Sequence, residues 1–363
     1  ILQQENRDQL NDNKMNKFLI IILALALTAC GNSKKSGKNT ASDITLTGAG
    51  ATFPLPYYNL AFKTYKDSTG VSVTYGGIGS GGGIRSLKDK IVDFAGSDAF
   101  LSAKEMEEMP APTIHIPTCM GAVVLAYNLP EVKDLRLNGK IIADIYLGKI
   151  NRWNDSQIQA VNPGITLPDK AINAVYRSDG SGTTYVFSDY LSKVSQDWNT
   201  QVGTGKALKW PAGIAAKGNP GVAGTISQTE GAIGYIGSEY AFALKIPVAL
   251  LQNKAGNFIT PSTESISAAA QTELPADTRT MITDSPAADA YPISCFTWIL
   301  IYKEQNYNNR KKEQAEATVK LLNWMLGDEA QNLTTKVHYS PLPVSAKDNA
   351  KLLLQSVTYN GIP

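Results

Sequence analysis

The chain has few of the side chains from which most catalytic and metal sites are built. Its 363 residues include two histidines, His115 and His338, and three cysteines, and no two cysteines form a C-x-x-C pair. The chain therefore offers few side chains for a histidine-built metal site or for a Ser-His-Asp triad. We expect neither a metal nor a cofactor.

Neither sign of charge dominates. The 34 Lys and Arg residues nearly balance 32 Asp and Glu residues, and the basic residues are scattered, which argues against a nucleic-acid partner.

Motifs of common enzyme classes are absent or incomplete. Gly77 to Gly82 match the dinucleotide-binding pattern G-x-G-x-x-G, but no ribose-binding context follows. The Gly-Lys-Ser/Thr of a Walker A loop and the G-x-S-x-G of a nucleophile elbow are missing. With 43% apolar and 18% charged residues, the chain has the composition of a globular protein long enough for two domains.

No apolar run in the N-terminal region is long enough to span a bilayer, which takes about 20 residues. The run from Phe18 to Ala29 follows a basic Lys17 and ends in "LTAC", which resembles the lipobox of bacterial lipoproteins. We predict a lipoprotein signal peptide at 15–29 and lipidation of Cys30. The alternative is a signal peptide that merely ends near a cysteine.

Two further segments flank this signal. Residues 1–14 precede a start methionine and carry acidic residues, so we expect them to be upstream sequence outside the native chain. Residues 30–43 are polar, small and basic, which is typical of a flexible tether.

The remaining cysteines, Cys119 and Cys295, lie in apolar segments, where either a disulfide or two buried thiols would fit.

From Asp43 onward, strand-like and helix-like segments alternate with glycine-rich turns. Strand "DITLTGAGATF" precedes helix "PYYNLAFKTYKDSTG", "VSVTYGGIGSGGG" precedes "IRSLKDKIV", and "AINAVYRSDGSG" precedes "TTYVFSDYLSKV". "GAIGYIGSEYAFAL" and "SCFTWILIY" are predicted as further strands, ahead of a long helix near 311–326. Such alternation predicts an α/β fold with parallel sheets flanked by helices, whose ligands bind at the carboxyl ends of strands.

Three of the turns share one chemistry. "GAGATF" at 48–53, "GIGSGGG" at 77–83 and "SDGSGTT" at 178–184 each place glycines and hydroxyls where a strand ends and a helix begins. The free N–H groups of a helix N-terminus bind anions. Any single turn of this kind is more often an ordinary helix cap. Three of them, with an arginine and two aspartates nearby, favour an anion site.

These segments also carry a resemblance. With "VDFAGSDAFLS", "IYLGKINRWND" and "GAIGYI", they occur in the order found in the phosphate-binding lipoproteins of bacterial ABC-type phosphate importers. The resemblance implies a two-lobed periplasmic-binding-protein fold of type II, with a mostly parallel sheet flanked by helices in each lobe and a hinge between them. Lobe I would comprise 44–117 plus 294–363, and lobe II 118–293.

The resemblance also implies a site and partners. A monomer in the cell envelope, anchored by lipid and facing the periplasm or the cell exterior, would pass phosphate to a permease of two transmembrane subunits with an ATPase dimer. Arg177 would pair with the anion while Asp179 holds its guanidinium, and Asp98 would accept a hydrogen bond from the proton that phosphate carries and sulfate lacks. The implied phosphate-binding residues are Ala51, Thr52, Phe53, Ser80, Asp98, Arg177, Asp179, Ser181, Gly182 and Thr183.

Two alternatives stay open from the residues alone. Asp98 precedes the helix-like "SAKEMEEM" and is also placed to be its N-cap. An exported phosphate-ester hydrolase with Ser80 or Thr52 as nucleophile is the rival function, although both histidines lie outside the anion turns. We therefore expect a binding protein, not an enzyme.

Overall fold

The structure, a computed structural model, describes residues 44–363. The predicted signal peptide, Cys30 and the tether lie outside this range. Within it, no helix has the length and apolar character required to cross a membrane.

The described part of the chain alternates strands and helices, as the sequence predicts. The strands are β1 (Thr45–Gly50), β2 (Ser72–Gly77), β3 (Phe94–Ser97), β4 (Thr113–Tyr127), β5 (Arg136–Leu137), β6 (Asn173–Arg177), β7 (Ile214–Ala216), β8 (Ala232–Gly237), β9 (Leu250–Gln252), β10 (Phe258–Ile259) and β11 (Ser294–Tyr302). The helices are α1 (Leu55–Thr69), α2 (Ser80–Lys88), α3 (Ala103–Glu107), α4 (Gly139–Tyr146), α5 (Ser156–Val161), α6 (Gly182–Val194), α7 (Gln196–Gln201), α8 (Gly218–Gln228), α9 (Ser238–Leu244), α10 (Thr263–Ala269), α11 (Lys312–Met325), α12 (Asp328–Thr334) and α13 (Val344–Gln355).

Eight strands form one sheet in the order β2-β1-β3-β11-β4-β8-β6-β7, and β10-β9-β5 form a small second sheet. We call β2, β1, β3 and β11 the first half of the large sheet, and β4, β8, β6 and β7 the second half. The first three strands of the first half are parallel, as are β8, β6 and β7 of the second half. The central pair, β11 and β4, is antiparallel to its neighbours. Each half is therefore mostly parallel.

Strand β4 pairs with one strand of each half. It pairs with β11 over 113–122 and with β8 over 123–127, and nearly all of its side chains are buried. A strand covered on both faces reads as a continuous apolar run, which "PTCMGAVVLAY" does. The predicted lobe boundary at 117/118 falls inside this strand.

One predicted strand is partly wrong. "GAIGYIGSEYAFAL" is a strand only as far as Gly237, and helix α9 follows at once. Short apolar runs fit either element, and periodicity alone does not separate them. Gly237 allows the tight turn, because a Cβ atom there would lie 2.1 Å from Oε1 of Glu239.

The two buried cysteines are free thiols in neighbouring strands, Cys119 in β4 and Cys295 in β11. Burial raises the pKa of both thiols well above the ordinary value, so they stay protonated and unreactive. Of the two alternatives for Cys119 and Cys295, a disulfide or two buried thiols, the structure therefore shows the buried thiols.

Candidate functional site

The predicted site residues follow the carboxyl ends of parallel strands. Turn 48–53 ends β1, turn 77–83 ends β2, Asp98 follows β3, and turn 178–184 ends β6. Helix α2 begins at Ser80, and helix α6 begins at Gly182 with Ser181 as its N-cap. The turns of the two halves touch, since the N–H of Gly182 donates to Oγ of Ser80 at 3.0 Å.

Glycines let these turns approach each other closely. The N–H of Gly81 donates to the carbonyl oxygen of Gly180 at 2.8 Å. Gly79 has a left-handed φ of +86°, and a Cβ atom there would lie 2.3 Å from Oδ2 of Asp179. A Cβ atom on Gly182 would lie 2.6 Å from Oγ of Ser80. These glycines thus allow the close contact between the halves.

Arg177 ends β6 with a buried side chain held in one orientation. Its Nε and NH2 groups donate to the two carboxylate oxygens of Asp179 at 2.8 and 2.6 Å, and its NH1 group lies 3.4 Å from Oγ1 of Thr183. Asp179 also accepts the N–H of Gly218 at 3.0 Å. Burial raises the pKa of Asp179, but the hydrogen bond and charge of Arg177 outweigh it, so the pKa lies below its usual value. The pair is a bidentate ion pair.

Asn219 links hydroxyls from both halves, and sequence reasoning missed it. Its backbone N–H and its side-chain amide donate to Oγ1 of Thr52 at 3.1 and 3.0 Å, and the amide also donates to Oγ1 of Thr183 at 3.2 Å. Its Oδ1 accepts the N–H of Gly237 at 3.0 Å. The available signal was its position just after β7 at the start of α8.

Asp98 is 1% exposed and lies between the halves. Oδ1 accepts from Oγ1 of Thr297 on β11 at 3.0 Å, and Oδ2 accepts from Oγ1 of Thr183 at 3.3 Å. Burial raises the pKa of Asp98 to about 7, although the hydrogen bond from Thr297 and the charge of Arg177 lower it. The alternative that Asp98 caps the next helix is wrong, because Ser102 caps α3.

The three predicted site residues in the loop after β1 differ in whether their backbone N–H groups are free to bind a ligand. The N–H of Ala51 donates to the carbonyl oxygen of Gly96 at 2.9 Å, so a ligand contact through it is not supported. The N–H groups of Thr52 and Phe53 donate to no backbone acceptor within residues 44–363. Tyr339 donates to the carbonyl oxygen of Phe53, which holds the loop in place.

A second buried acid, Glu239, lies at the start of α9. Neither carboxylate oxygen has a hydrogen-bond partner among the described residues. Burial raises its pKa well above the usual value, with the nearby charge of Asp98 acting in the same direction. The raised pKa favours the neutral form of Glu239, which adds no negative charge beside an anion site.

Both histidines are engaged in structural contacts. Nε2 of His115 accepts the N–H of Leu101 at 3.0 Å, and burial lowers its pKa to about 3. The ring of His338 packs against Phe242 at 5.2 Å. Residues 44–363 contain no group of three or more His, Cys, Asp or Glu side chains arranged to hold a metal ion. Nothing in these contacts supports a hydrolase with a histidine base.

The chain is similar to known proteins over most of its length. Residues 34–329 match the family model described as the PBP superfamily domain. The phosphate-binding protein PstS of Xylella fastidiosa (strain 9a5c) is 40% identical over 320 residues, covering 86% of each chain. The phosphate-binding protein PstS of Pasteurella multocida (strain Pm70) is 40% identical over 304 residues, covering 82% of this chain and 86% of that protein.

Two solved structures share the fold. A high-affinity periplasmic phosphate-binding protein (PfluDING) bound with phosphate has a TM-score of 0.70 at 22% identity, covering 85% of this chain and 93% of that chain. A phosphate-binding protein from Stenotrophomonas maltophilia has a TM-score of 0.65 at 19% identity with the same coverage, 85% and 93%. The predicted two-lobed periplasmic-binding-protein fold is confirmed. Because the superfamily model spans residues 34–329 and the PstS relatives are 40% identical over more than four-fifths of the chain, the chain belongs to the PstS family of phosphate-binding proteins.

Proposed function

We propose that the chain binds inorganic phosphate between the two halves of its sheet and delivers it to an ABC-type phosphate importer, with no chemistry done on the ligand. One observation carries the proposal. Arg177 and the N-termini of α2 and α6 converge with hydroxyls of both halves on one place, and a buried acid, Asp98, lies among them. Many donors with one acceptor suit an anion that still bears a proton.

The attraction does not rest on net charge. Asp179 offsets Arg177, so most of the favourable interaction comes from oriented N–H and O–H dipoles. Three N–H groups of Arg177 contact Asp179 and Thr183, which leaves two of its five donors without a hydrogen bond to residues 44–363. These two, with the N–H groups of Thr52 and Phe53, are the donors we assign to phosphate.

Calorimetric titration of the purified protein with phosphate and with sulfate tests this function. We expect one phosphate per chain and weaker binding of sulfate at the same pH and ionic strength. Absence of heat with phosphate contradicts the proposal. So does steady hydrolysis of p-nitrophenyl phosphate by the purified protein with added zinc or magnesium, because a receptor alone does no chemistry.

We also propose where the protein works. The lipobox-like end of the apolar run supports lipidation of Cys30, which would tether the protein to a membrane, facing the periplasm or the cell exterior. We propose that it acts there as a monomer. Its partner there is the permease of two transmembrane subunits with an ATPase dimer. Mass spectrometry of the native protein is expected to show diacylglycerol-modified Cys30 at the N-terminus, and an unlipidated product cut elsewhere contradicts this assignment.

The proposed lobes are 44–117 plus 294–363 and 118–293. Within residues 44–363 the chain crosses between them twice, inside β4 and on entering β11, and so few crossings are typical of a hinge. Small-angle scattering is expected to show a smaller radius of gyration when phosphate is added. An unchanged radius with bound phosphate contradicts closure of the lobes.

A further inference from the structure

A charged contact outside the anion site joins the two halves of the sheet. Nζ of Lys206 donates to Oε1 and Oε2 of Glu105 at 2.6 and 2.8 Å. Glu105 lies in α3, directly after β3 of the first half, whereas Lys206 lies in the loop before β7 of the second half. The side chains are 35% and 13% exposed respectively, so water and salt screen this pair less than a pair at the open surface.

Each partner is held by its own half. Oε2 of Glu105 accepts the N–H of Ser102 at 2.9 Å, as part of the capping box of α3. The amine of Lys206 lies 5.5 Å from the centre of the Tyr185 ring, which belongs to α6. Burial raises the pKa of Glu105, but hydrogen bonds from Lys206 and Ser102 outweigh it, so the pKa lies below its usual value. The carboxyl group of Glu105 is therefore ionised near neutral pH.

The pair also connects the two segments that carry the anion site. The carbonyl oxygen of Lys206 accepts the N–H of Ser181, the N-cap of α6, at 2.8 Å. The loop before Lys206 is tied to α6, since the N–H of Gly205 donates to Oγ of Ser188 at 3.1 Å. On the other side, α3 follows the short loop that begins with Asp98. Movement of one anion-binding segment away from the other thus strains the ion pair.

We propose that the Glu105–Lys206 pair is a latch that forms when the two halves close over phosphate and that it slows phosphate release. This inference rests on the proposed function, because proteins of this fold release ligands by opening about a hinge. The pair joins residues 101 positions apart across the halves, so opening separates the two charges. Association starts from the open form, in which the latch is absent, and its rate is set by other contacts.

The release rate of radiolabelled inorganic phosphate, measured after dilution of the loaded full-length protein into excess unlabelled phosphate, tests the latch. Glu105→Gln keeps the capping box, because glutamine also serves at that position. Lys206→Met keeps an unbranched apolar stem and removes the charge. We expect each variant to release phosphate about two- to tenfold faster with an unchanged association rate.

A matched control removes an ion pair of the same length within one half. Nζ of Lys140 lies 2.6 Å from Oδ2 of Asp144 inside α4, so Lys140→Met is expected to leave the release rate unchanged. The exchanged pair, Glu105→Lys with Lys206→Glu, is expected to restore part of the slow release. A purely structural role predicts instead a lower melting temperature of the phosphate-free protein and no rescue.

The outcomes separate the latch from the function on which it rests. Unchanged release in both single variants overturns the latch while phosphate binding stands. Equal acceleration by Lys140→Met, or an exchanged pair that releases no more slowly than the single variants, overturns it as well. Failure of the unaltered protein to retain labelled phosphate overturns the proposed function and the latch together.

Discussion

Replacing Asp98 with asparagine is expected to reduce the preference for phosphate over sulfate. In this structure the carboxylate is buried and accepts hydrogen bonds from Thr297 and Thr183. The hydroxyl of Thr297 can reverse to accept from an amide, while Thr183, which already accepts from Arg177 and Asn219, can keep donating to the amide oxygen. Asp98→Asn therefore keeps the shape and the internal contacts. It changes an acceptor that excludes a fully deprotonated anion into a group that can donate to one.

The magnitude follows from the cost of an unpaired buried acceptor. Against sulfate, the ionised carboxylate faces oxygens without a proton, which costs about 1–3 kcal/mol and more where charge is involved. Removing that cost changes the phosphate-to-sulfate ratio by about 5- to 150-fold. The pKa of about 7 adds a pH dependence, because protonated Asp98 can donate to sulfate.

The sign of this pH dependence is fixed by the raised pKa. About nine-tenths of Asp98 is ionised at about pH 8 and almost none at about pH 5. Because the protonated form accepts sulfate, the sulfate affinity of the unaltered protein should rise about tenfold when the pH is lowered from about 8 to about 5. Asp98→Asn should bind sulfate almost independently of pH. Calorimetric competition between sulfate and phosphate at fixed ionic strength measures both effects. An unchanged ratio in the variant refutes the assigned role of Asp98.

Three further changes have defined outcomes. Arg177→Ala should weaken phosphate binding by about 1.5–3 kcal/mol in calorimetry, and Arg177→Lys should weaken it too, because an ammonium cannot replace the fork; equal affinities would make the arginine structural. Asn219→Ala should cost about 1–3 kcal/mol in urea unfolding by leaving buried hydroxyls and an N–H unpaired, and should weaken phosphate binding; no change in either contradicts its linking role. His115 has a pKa lowered to about 3, so the free energy of unfolding should fall as the pH drops from about 6.5, by at most about 5 kcal/mol at about pH 3. His115→Gln should flatten that decline, and the same decline in urea unfolding of the unaltered protein and the variant would contradict it.

Much of the fold was predictable because strand and helix periods alternate clearly. The strands ending at Gly50, Gly77 and Arg177 and the helices after Gly50 and Arg177 appear where the sequence predicts them. The helix after Gly77 was predicted at 84–92 but spans Ser80–Lys88. The run after Gly231 was predicted as a single strand, since an apolar segment such as "AFAL" fits a buried strand as well as a short helix. The strand ends at Gly237 because the chain makes a tight turn there, and the spacing of apolar residues does not predict that turn.

The site was predictable where a local motif marks it. The Arg177 and Asp179 pair lies within one turn, and Ser80 and Gly182 each start a helix. Asn219 and Lys206 are different, because their partners in the first half are more than 100 residues away in the chain. Such contacts depend on how the halves meet, and no short motif encodes that approach.

A crystal structure of the protein with inorganic phosphate tests the central claim most directly. We expect one tetrahedral anion between the halves, within hydrogen-bond distance of the Arg177 guanidinium and of the N–H groups of Thr52 and Phe53, with one oxygen against Asp98. A phosphate bound elsewhere, or no phosphate between the halves at saturating concentration, would contradict the account.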